Sequence, residues 1–408
     1  MAVVEIKPNI YWVGVVDFNL RNFHGYSLAD KGTTYNAYLV LDEKITLFDT
    51  VPEKFKWDLY HQISKLVKVS DINYIVVNHV EMDHAGALPF MVEMAKPEKI
   101  FCSTMGQKAL LDHFHQPDWP YEVVKNDTVL SLGKKTVKFL ETRMLHWPDS
   151  MFSYIPEDKL LISNDGFGQN VATSERFDDE LDLSMLLAEA KHYYANIILP
   201  YGNMVQKTLS NVQEAGWEID MIAPDHGIIW RKHLTKVIEL YQELSEQRLQ
   251  NKAVIVYDTM WSSTEKMAKA IYQGLLEGGS QARLMSLKSY HHSDVIGELV
   301  DAAAIVCGSP THNNGILPLM ADFLTYMKGL KPLNRIGASF GSFGWSGEAP
   351  KQIATILEQA KFELPFEPIK VKYVPTHESL AKCRELGQNL AKAINEKLKK
   401  CLDLKTKS

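Results

Sequence analysis

The stretch VVNHVEMDHAGALPF, Val76 to Phe90, closes a β-branched run and then sets His79, Glu81, Asp83 and His84 within six residues. Imidazole and carboxylate are the side chains that hold first-row metal ions. A buried strand that ends in a polar loop aims such groups into a crevice without having to order long side chains. Three more candidates lie far along the chain: His146 in ETRMLHWPDS, Asp165 at the end of LLISND, and His226 in MIAPDHG. Each falls at the C-terminal edge of an expected strand, where residues of separate strands meet. One buried histidine is more often a hydrogen-bonded core residue than a ligand, but this grouping reads as a metal cradle.

A second set of loops carries different chemistry. VIVYDTMWSSTEKMA, Val254 to Ala268, is an apolar strand, a hydroxyl-rich turn (Thr259, Met260, Trp261, Ser262, Ser263, Thr264) and a helix start. Backbone N–H groups and hydroxyls in such a turn cradle a phosphate monoester without a lysine. Further on, AAIVCG is followed by Ser309, Pro310, Thr311, His312, Asn313 and Asn314, and RIGASF by a glycine-rich loop holding Ser342, Phe343, Gly344, Trp345, Ser346 and Gly347. In a doubly wound sheet these loops form one crevice, where glycines allow close approach to a flat ring and Trp345 can stack on it. No GxGxxG follows a strand, which disfavours a dinucleotide.

The elements that must position these residues fall into two architectures. Residues 1–250 show short strands (Ile10–Val16, Ala37–Leu41, Ile45–Phe48, Ile72–Val77, Val137–Glu141, Leu160–Ser163, Ile219–Ala223) with interspersed helices, as in an αββα sandwich. Residues 251–400 alternate strand and helix, and a Lys-rich tail, 401–408, follows. The chain is therefore α/β throughout, in two domains. Its formal charge of −6 gives no basic footprint for nucleic acid and no attraction to an anionic membrane. With no signal segment and no apolar run near 20 residues, a cytoplasmic protein is expected. The four cysteines, Cys102, Cys307, Cys383 and Cys401, are too dispersed for a metal knuckle or a disulfide framework.

HxExDH resembles the HxHxDH signature of the metallo-β-lactamase fold, and the hydroxyl-rich turn resembles the phosphate loop of flavodoxins. The order and spacing of all the motifs, over nearly the whole chain, resemble the flavodiiron proteins. That resemblance implies FMN and two non-haem irons. His79, Glu81 and His146 would hold one iron, Asp83 and His226 the other, and Asp165 would bridge them. It leaves His84 facultative, a ligand in hydrolases of the fold and replaceable by water in this family. Glu81 in place of an imidazole makes the site harder and more anionic, favouring iron over zinc and supporting the ferric charge. The implied activity is reduction of O2 to water or of NO to N2O, with His24, Trp147, Tyr193 and Tyr194 as pocket candidates. No CxxC pairs follow the second domain, so electrons would come from a separate donor, rubredoxin or a reduced deazaflavin. A head-to-tail homodimer or dimer of dimers is implied. A zinc-dependent hydrolase with an appended flavin module, or an FMN carrier with a vestigial metal site, remain the competing readings.

Overall fold

The computed structural model describes residues 3–126 and 128–405, with side chains as far as Lys400. The chain divides into two compact units, Met1–Tyr194 with Tyr201–Ser245, and Ala195–Pro200 with Glu246–Ser408.

In the first unit a seven-stranded sheet runs in the order Val4–Lys7, Ile10–Trp12, Tyr38–Val40, Thr46–Phe48, Tyr74–Val77, Lys99–Cys102 and Tyr121–Val123. Its early strands pair antiparallel and its later ones parallel. A five-stranded sheet, Val129–Ser131 through Met221–Ala223, supplies the second layer. Strand alternation explains how both layers are filled. In Tyr74–Val77, Val76 joins the core between the sheets with Trp12, Tyr38, Phe139 and Ile162. Ile75 and Val77 face the other way, with Leu59 and Ile63 of the helix Lys56–Ser64 and Met91 of Leu88–Ala95.

The expected strand Ile10–Val16 is in fact two. Ile10–Trp12 pairs with Tyr38–Val40, whereas Val15–Asp17 pairs with Thr33–Tyr35. The switch occurs at Gly14, where a Cβ would lie 2.3 Å from the Tyr35 carbonyl oxygen, so the close backbone approach requires glycine. The strands Lys99–Cys102 and Met151–Ile155 escaped the sequence reading. The first is four residues long, too short for its period to show, and the second was passed over although Pro148-Asp149-Ser150 and Pro156 bound it.

The second unit is an all-parallel sheet in the order Gln281–Ser286, Gln250–Tyr257, Ala302–Gly308, Ile336–Phe343, Ile369–Lys372. Its middle strand, AAAIVCG, is buried at every position, as expected when helices cover both faces. Two helices, Ser263–Glu277 and His377–Lys405, pack backbone to backbone. A Cβ on Gly274 would stand 1.9 Å from Arg384 O, and one on Gly387 2.2 Å from Ile271 O. The last helix thus takes in the first part of the expected tail; residues 406–408 lie outside the described residues.

Candidate metal centre and flavin site

His79 stands two residues beyond the strand Tyr74–Val77, and Glu81 precedes a single helical turn, Met82–Ala85, that carries Asp83 and His84. His146 lies in the loop between Thr136–Glu141 and Met151–Ile155. Asp165 and His226 each follow a strand by three residues, after Leu160–Ile162 and Met221–Ala223. The parallel pairing of those two strands brings their ends together.

The side chains meet around Asp165. Its Oδ2 lies 3.3 Å from His79 Nε2 and 3.2 Å from His146 Nε2. Glu81 Oε2 lies at the same distances, 3.3 and 3.2 Å, from those two nitrogens. Asp165 Oδ1 faces the other way, 3.3 Å from both His84 Nε2 and His226 Nε2. Asp83 completes that side, with Oδ1 3.3 Å from His84 Nε2 and Oδ2 3.2 Å from His226 Nε2. Two donor groups therefore share one carboxylate, an oxygen to each, and the His84 ring is turned into the second group.

These contacts are ill suited to a self-sufficient hydrogen-bond network. Asp83 Oδ1, Asp165 Oδ2 and the Nε2 atoms of His84, His146 and His226 are buried without a hydrogen-bond partner. Buried polar atoms of this kind call for an ion or a water between them. Donors about 2.0–2.1 Å from a common ion in a tetrahedral array stand roughly 3.3 Å apart, which is the spacing found. The electrostatics agree. Burial works against charge on Asp165, but the imidazoles of His84, His146 and His226 outweigh it and hold the carboxyl well below its ordinary range. Burial likewise opposes charge on Glu81, yet His146 and His79 bring it down to about 2. On the other side, burial disfavours a charged His146 or His226, but the carboxylates lift them to about 9 and about 10. The cluster holds positive charge avidly, and its residues fit a pair of divalent or trivalent ions.

Around this core the far nitrogens of three of the four rings have different neighbours. His79 Nδ1 is 3.0 Å from Asp149 Oδ2, His226 Nδ1 2.8 Å from Thr34 O, and His84 Nδ1 3.4 Å from Asp225 Oδ2. Burial, reinforced by the charges of Asp49 and Asp165, pushes Asp225 well above the carboxylate range. Asp149 and Asp225 were not picked out in the sequence. Each lies within three residues of a candidate ligand, in HWPDS and PDHG, and the habit of ligating histidines to bond an outer acceptor was the available signal.

Of the pocket candidates, His24 sits at the tip of the hairpin Asn22–Phe23/Ser27–Leu28. His24 and Gly25 both have left-handed backbone, φ 52° and 79°, and Tyr26 N–H donates to Phe23 O at 3.2 Å, a type I′ turn. The turn delivers His24 Nε2 to 3.3 Å from Asp83 Oδ2 and 3.5 Å from Glu81 Oε1, one carboxylate of each group. Tyr193 donates its hydroxyl to Asp165 Oδ1 at 2.8 Å. Tyr194, about 100° further round the helix, instead packs edge-on against Tyr241 at 5.1 Å and leaves the site. Trp147 stands edge-on to His79, ring centroids 5.2 Å apart.

In the second unit the three loops converge on a cavity of about 380 Å³. Met260, Trp261, Ser263, Pro310, Thr311, His312, Asn313, Ser342, Phe343, Gly344 and Trp345 line it. So do Tyr373 and Val374, which follow the edge strand and carry no motif to reveal them. Thr259, Ser262, Thr264, Ser309, Asn314, Ser346 and Gly347 support those loops without lining the cavity. Thr264 Oγ1 is 3.1 Å from Ser342 Oγ, which ties the first loop to the third. Ser262, left-handed at φ 62°, gives no side-chain cap to the helix it precedes, so that helix start remains available to an anion.

Comparison with known proteins places this geometry. The ODP family β-lactamase model matches residues 33–227 and the flavodoxin model residues 255–387. The rubredoxin-oxygen oxidoreductase of Megalodesulfovibrio gigas is 49% identical over 400 residues, covering 98% of this chain and 100% of the relative. The chain belongs to the flavodiiron protein family. A nitric oxide reductase of Moorella thermoacetica is 46% identical over 393 residues, 96% of this chain and 98% of the relative. The crystal structure of the flavodiiron protein from Giardia intestinalis superposes with a TM-score of 0.94 at 34% identity, covering 98% of each chain. The flavodoxin part of this flavodiiron protein implies FMN, the family carries a non-haem diiron site, and the His and carboxylate cluster could hold metal ions. Among the described residues no helix is long and apolar enough to cross a membrane.

Proposed function

We propose that this flavodiiron protein is a cytoplasmic oxidoreductase that reduces O2 to water, NO to N2O, or both, with electrons passed through FMN from an external donor. The observation that carries the reading is Asp165, whose two oxygens each serve a separate pair of imidazoles. Bridging of this kind suits two metal ions acting on one small ligand. On this reading His79, Glu81 and His146 would hold one iron and Asp83, His84 and His226 the other, with Asp165 offering an oxygen to each.

When bound, the iron pair supplies open positions for a diatomic molecule and the flavin supplies electrons. The chain's own residues do the rest. Tyr193 fixes the bridging carboxylate through its hydroxyl, which burial and the Asp165 charge keep protonated well above its ordinary range. His24, on its hairpin tip, stands over both donor groups, and its Nε2 is the atom suited to hand a proton to a reduced substrate. Trp147 shields the edges of His79 and His146. In the flavin unit, the Thr259–Thr264 loop and the uncapped helix start take the phosphate, while Trp345 and the other aromatic residues of the cavity enclose the ring.

The donor is a separate electron carrier, rubredoxin or a reduced deazaflavin. The rubredoxin named in the Megalodesulfovibrio relative supports the first. A head-to-tail homodimer, or a dimer of such dimers, brings the FMN of one copy against the metal site of the next. The deciding experiment is anaerobic reduction of the FMN- and iron-loaded protein, followed by mixing with O2 and with NO in separate runs. Rapid reoxidation by at least one gas is expected, and negligible reaction with both removes the assignment. Glu81→His should move metal occupancy from iron toward zinc and abolish gas reduction.

A further inference from the structure

A ligating imidazole carries its remaining proton on the far nitrogen, so the acceptor there fixes the ring and tunes its donation to the ion. The three far partners found here are unequal. His226 Nδ1 faces a neutral carbonyl, Thr34 O, at 2.8 Å. His84 Nδ1 stands 3.4 Å from Asp225 and makes no hydrogen bond. His79 Nδ1 meets a carboxylate at hydrogen-bonding distance, Asp149 Oδ2 at 3.0 Å, and both side chains are buried.

Asp149 is itself anchored at two points. The oxygen that receives His79 also accepts Val80 N–H at 2.8 Å, so it grips the turn between His79 and Glu81. Its backbone carbonyl accepts the Ser103 hydroxyl at 2.7 Å, and Ser103 caps the helix Thr104–Phe114 by accepting Gly106 N–H at 2.9 Å. Asp149 lies just before Met151–Ile155 of the five-stranded sheet, whereas His79 follows a strand of the seven-stranded one. The contact therefore joins the two layers directly behind one of the two donor groups.

We infer that Asp149 is a positioning residue that, acting through His79, makes the iron position of His79, Glu81 and His146 harder to reduce and tighter to hold than that of Asp83, His84 and His226. A full negative charge behind an imidazole strengthens its donation and favours the higher-valent ion, whereas the Thr34 carbonyl behind His226 does so less. The inference rests on the diiron reading, and the experiment separates the failure of one from the failure of the other.

The full-length protein, loaded with FMN and iron, is compared with Asp149→Asn, Asp149→Ala and Ser103→Ala. Asparagine keeps an oxygen for His79 and Val80 and removes the charge, alanine removes both, and Ser103→Ala loosens the backbone anchor and uncaps the helix Thr104–Phe114 while leaving the Asp149 carboxylate in place. Two quantities are read: the separation of the two iron midpoints in a redox titration followed by EPR, and the release of iron to a ferrous chelator. In Asp149→Asn both irons and FMN stay bound and the midpoints draw together. In Asp149→Ala one iron of the two is lost about 10- to 100-fold more readily. Ser103→Ala keeps the parental separation. An unchanged separation in Asp149→Asn overturns the inference, as does an equal narrowing in Ser103→Ala, which would make the effect one of packing. Should Asp149→Ala fail to fold, the near-isosteric asparagine variant decides alone. A parental protein that binds no iron pair overturns the diiron reading instead.

Discussion

His79, His84 and His226 are fully or almost fully buried, whereas Trp261 and Trp345 at the flavin cavity are 88% and 86% exposed. The metal cluster is assembled from side chains up to 147 positions apart in sequence, each locked by packing from two sheets. The flavin cavity is assembled from backbone loops at one edge of a single sheet, with its large apolar groups open to solvent. Charge divides the same way. Residues 1–245 carry 34 Asp and Glu against 23 Lys and Arg, and residues 246–408 carry 16 against 21. The acidic unit suits cationic metals and the basic one an anionic phosphate. A metal site has to impose charge and geometry on a small ion, so its cost is met in the fold. A flavin brings its own shape, and its cavity needs only to be available.

This contrast is most severely tested by Asp165→Ala, which removes the oxygens that serve all four imidazoles. It should reduce iron from about two per chain to none and abolish gas reduction while FMN stays bound, as metal analysis and the flavin spectrum would report. Loss of FMN together with iron would mean that the two sites are not independent.

A large effect is also expected on the pH dependence of stability in chelated protein. His146 and His226 are raised to about 9 and about 10, so their contribution is complete below pH ~6.5 and disappears as pH rises through those values. Glu81, lowered to about 2, contributes above pH ~4.5 and loses that contribution as pH falls toward 2. Chelated protein should be most stable between about pH 4.5 and 6.5, and the gain in Tm on loading iron should grow from pH 6.5 to 10. A gain independent of pH would contradict the charge balance described here.

At the flavin cavity, Trp345→Ala should weaken FMN binding by about 1 kcal/mol, roughly fivefold, in fluorescence titration. Because the indole is so exposed, the Tm of the FMN-free protein and the iron content should not change. An effect of similar size is expected of Gly25→Ala. No atom obstructs the added methyl, but φ of 79° costs a non-glycine residue about 1 kcal/mol. Stability should fall by about that amount in urea unfolding, with iron retained and turnover lowered as His24 loses its fixed position.

Much of this was legible in the sequence for a local reason. HVEMDH places four donors on one strand end and one helical turn, and the hydroxyl-rich turn after VIVYD announces a phosphate loop, so short-range spacing alone exposes them. The strand Ile10–Val16 was misjudged because its break depends on Tyr35, a contact outside any window around Gly14. Tyr373 and Val374 were missed because an ordinary edge strand delivers them to the cavity.

By itself the sequence determined the types of ligand, their order and the two-part architecture, since residue chemistry and period are properties of the chain read in one dimension. Only the tertiary structure decided that Asp165 turns one oxygen to each pair of imidazoles, that Tyr193 rather than Tyr194 reaches it, that the His84 ring points inward, and that Asp149 backs His79. Those outcomes depend on side-chain direction at the meeting of two sheets, where a rotation of about 100° along a helix or one residue along a strand exchanges a ligand for a core residue.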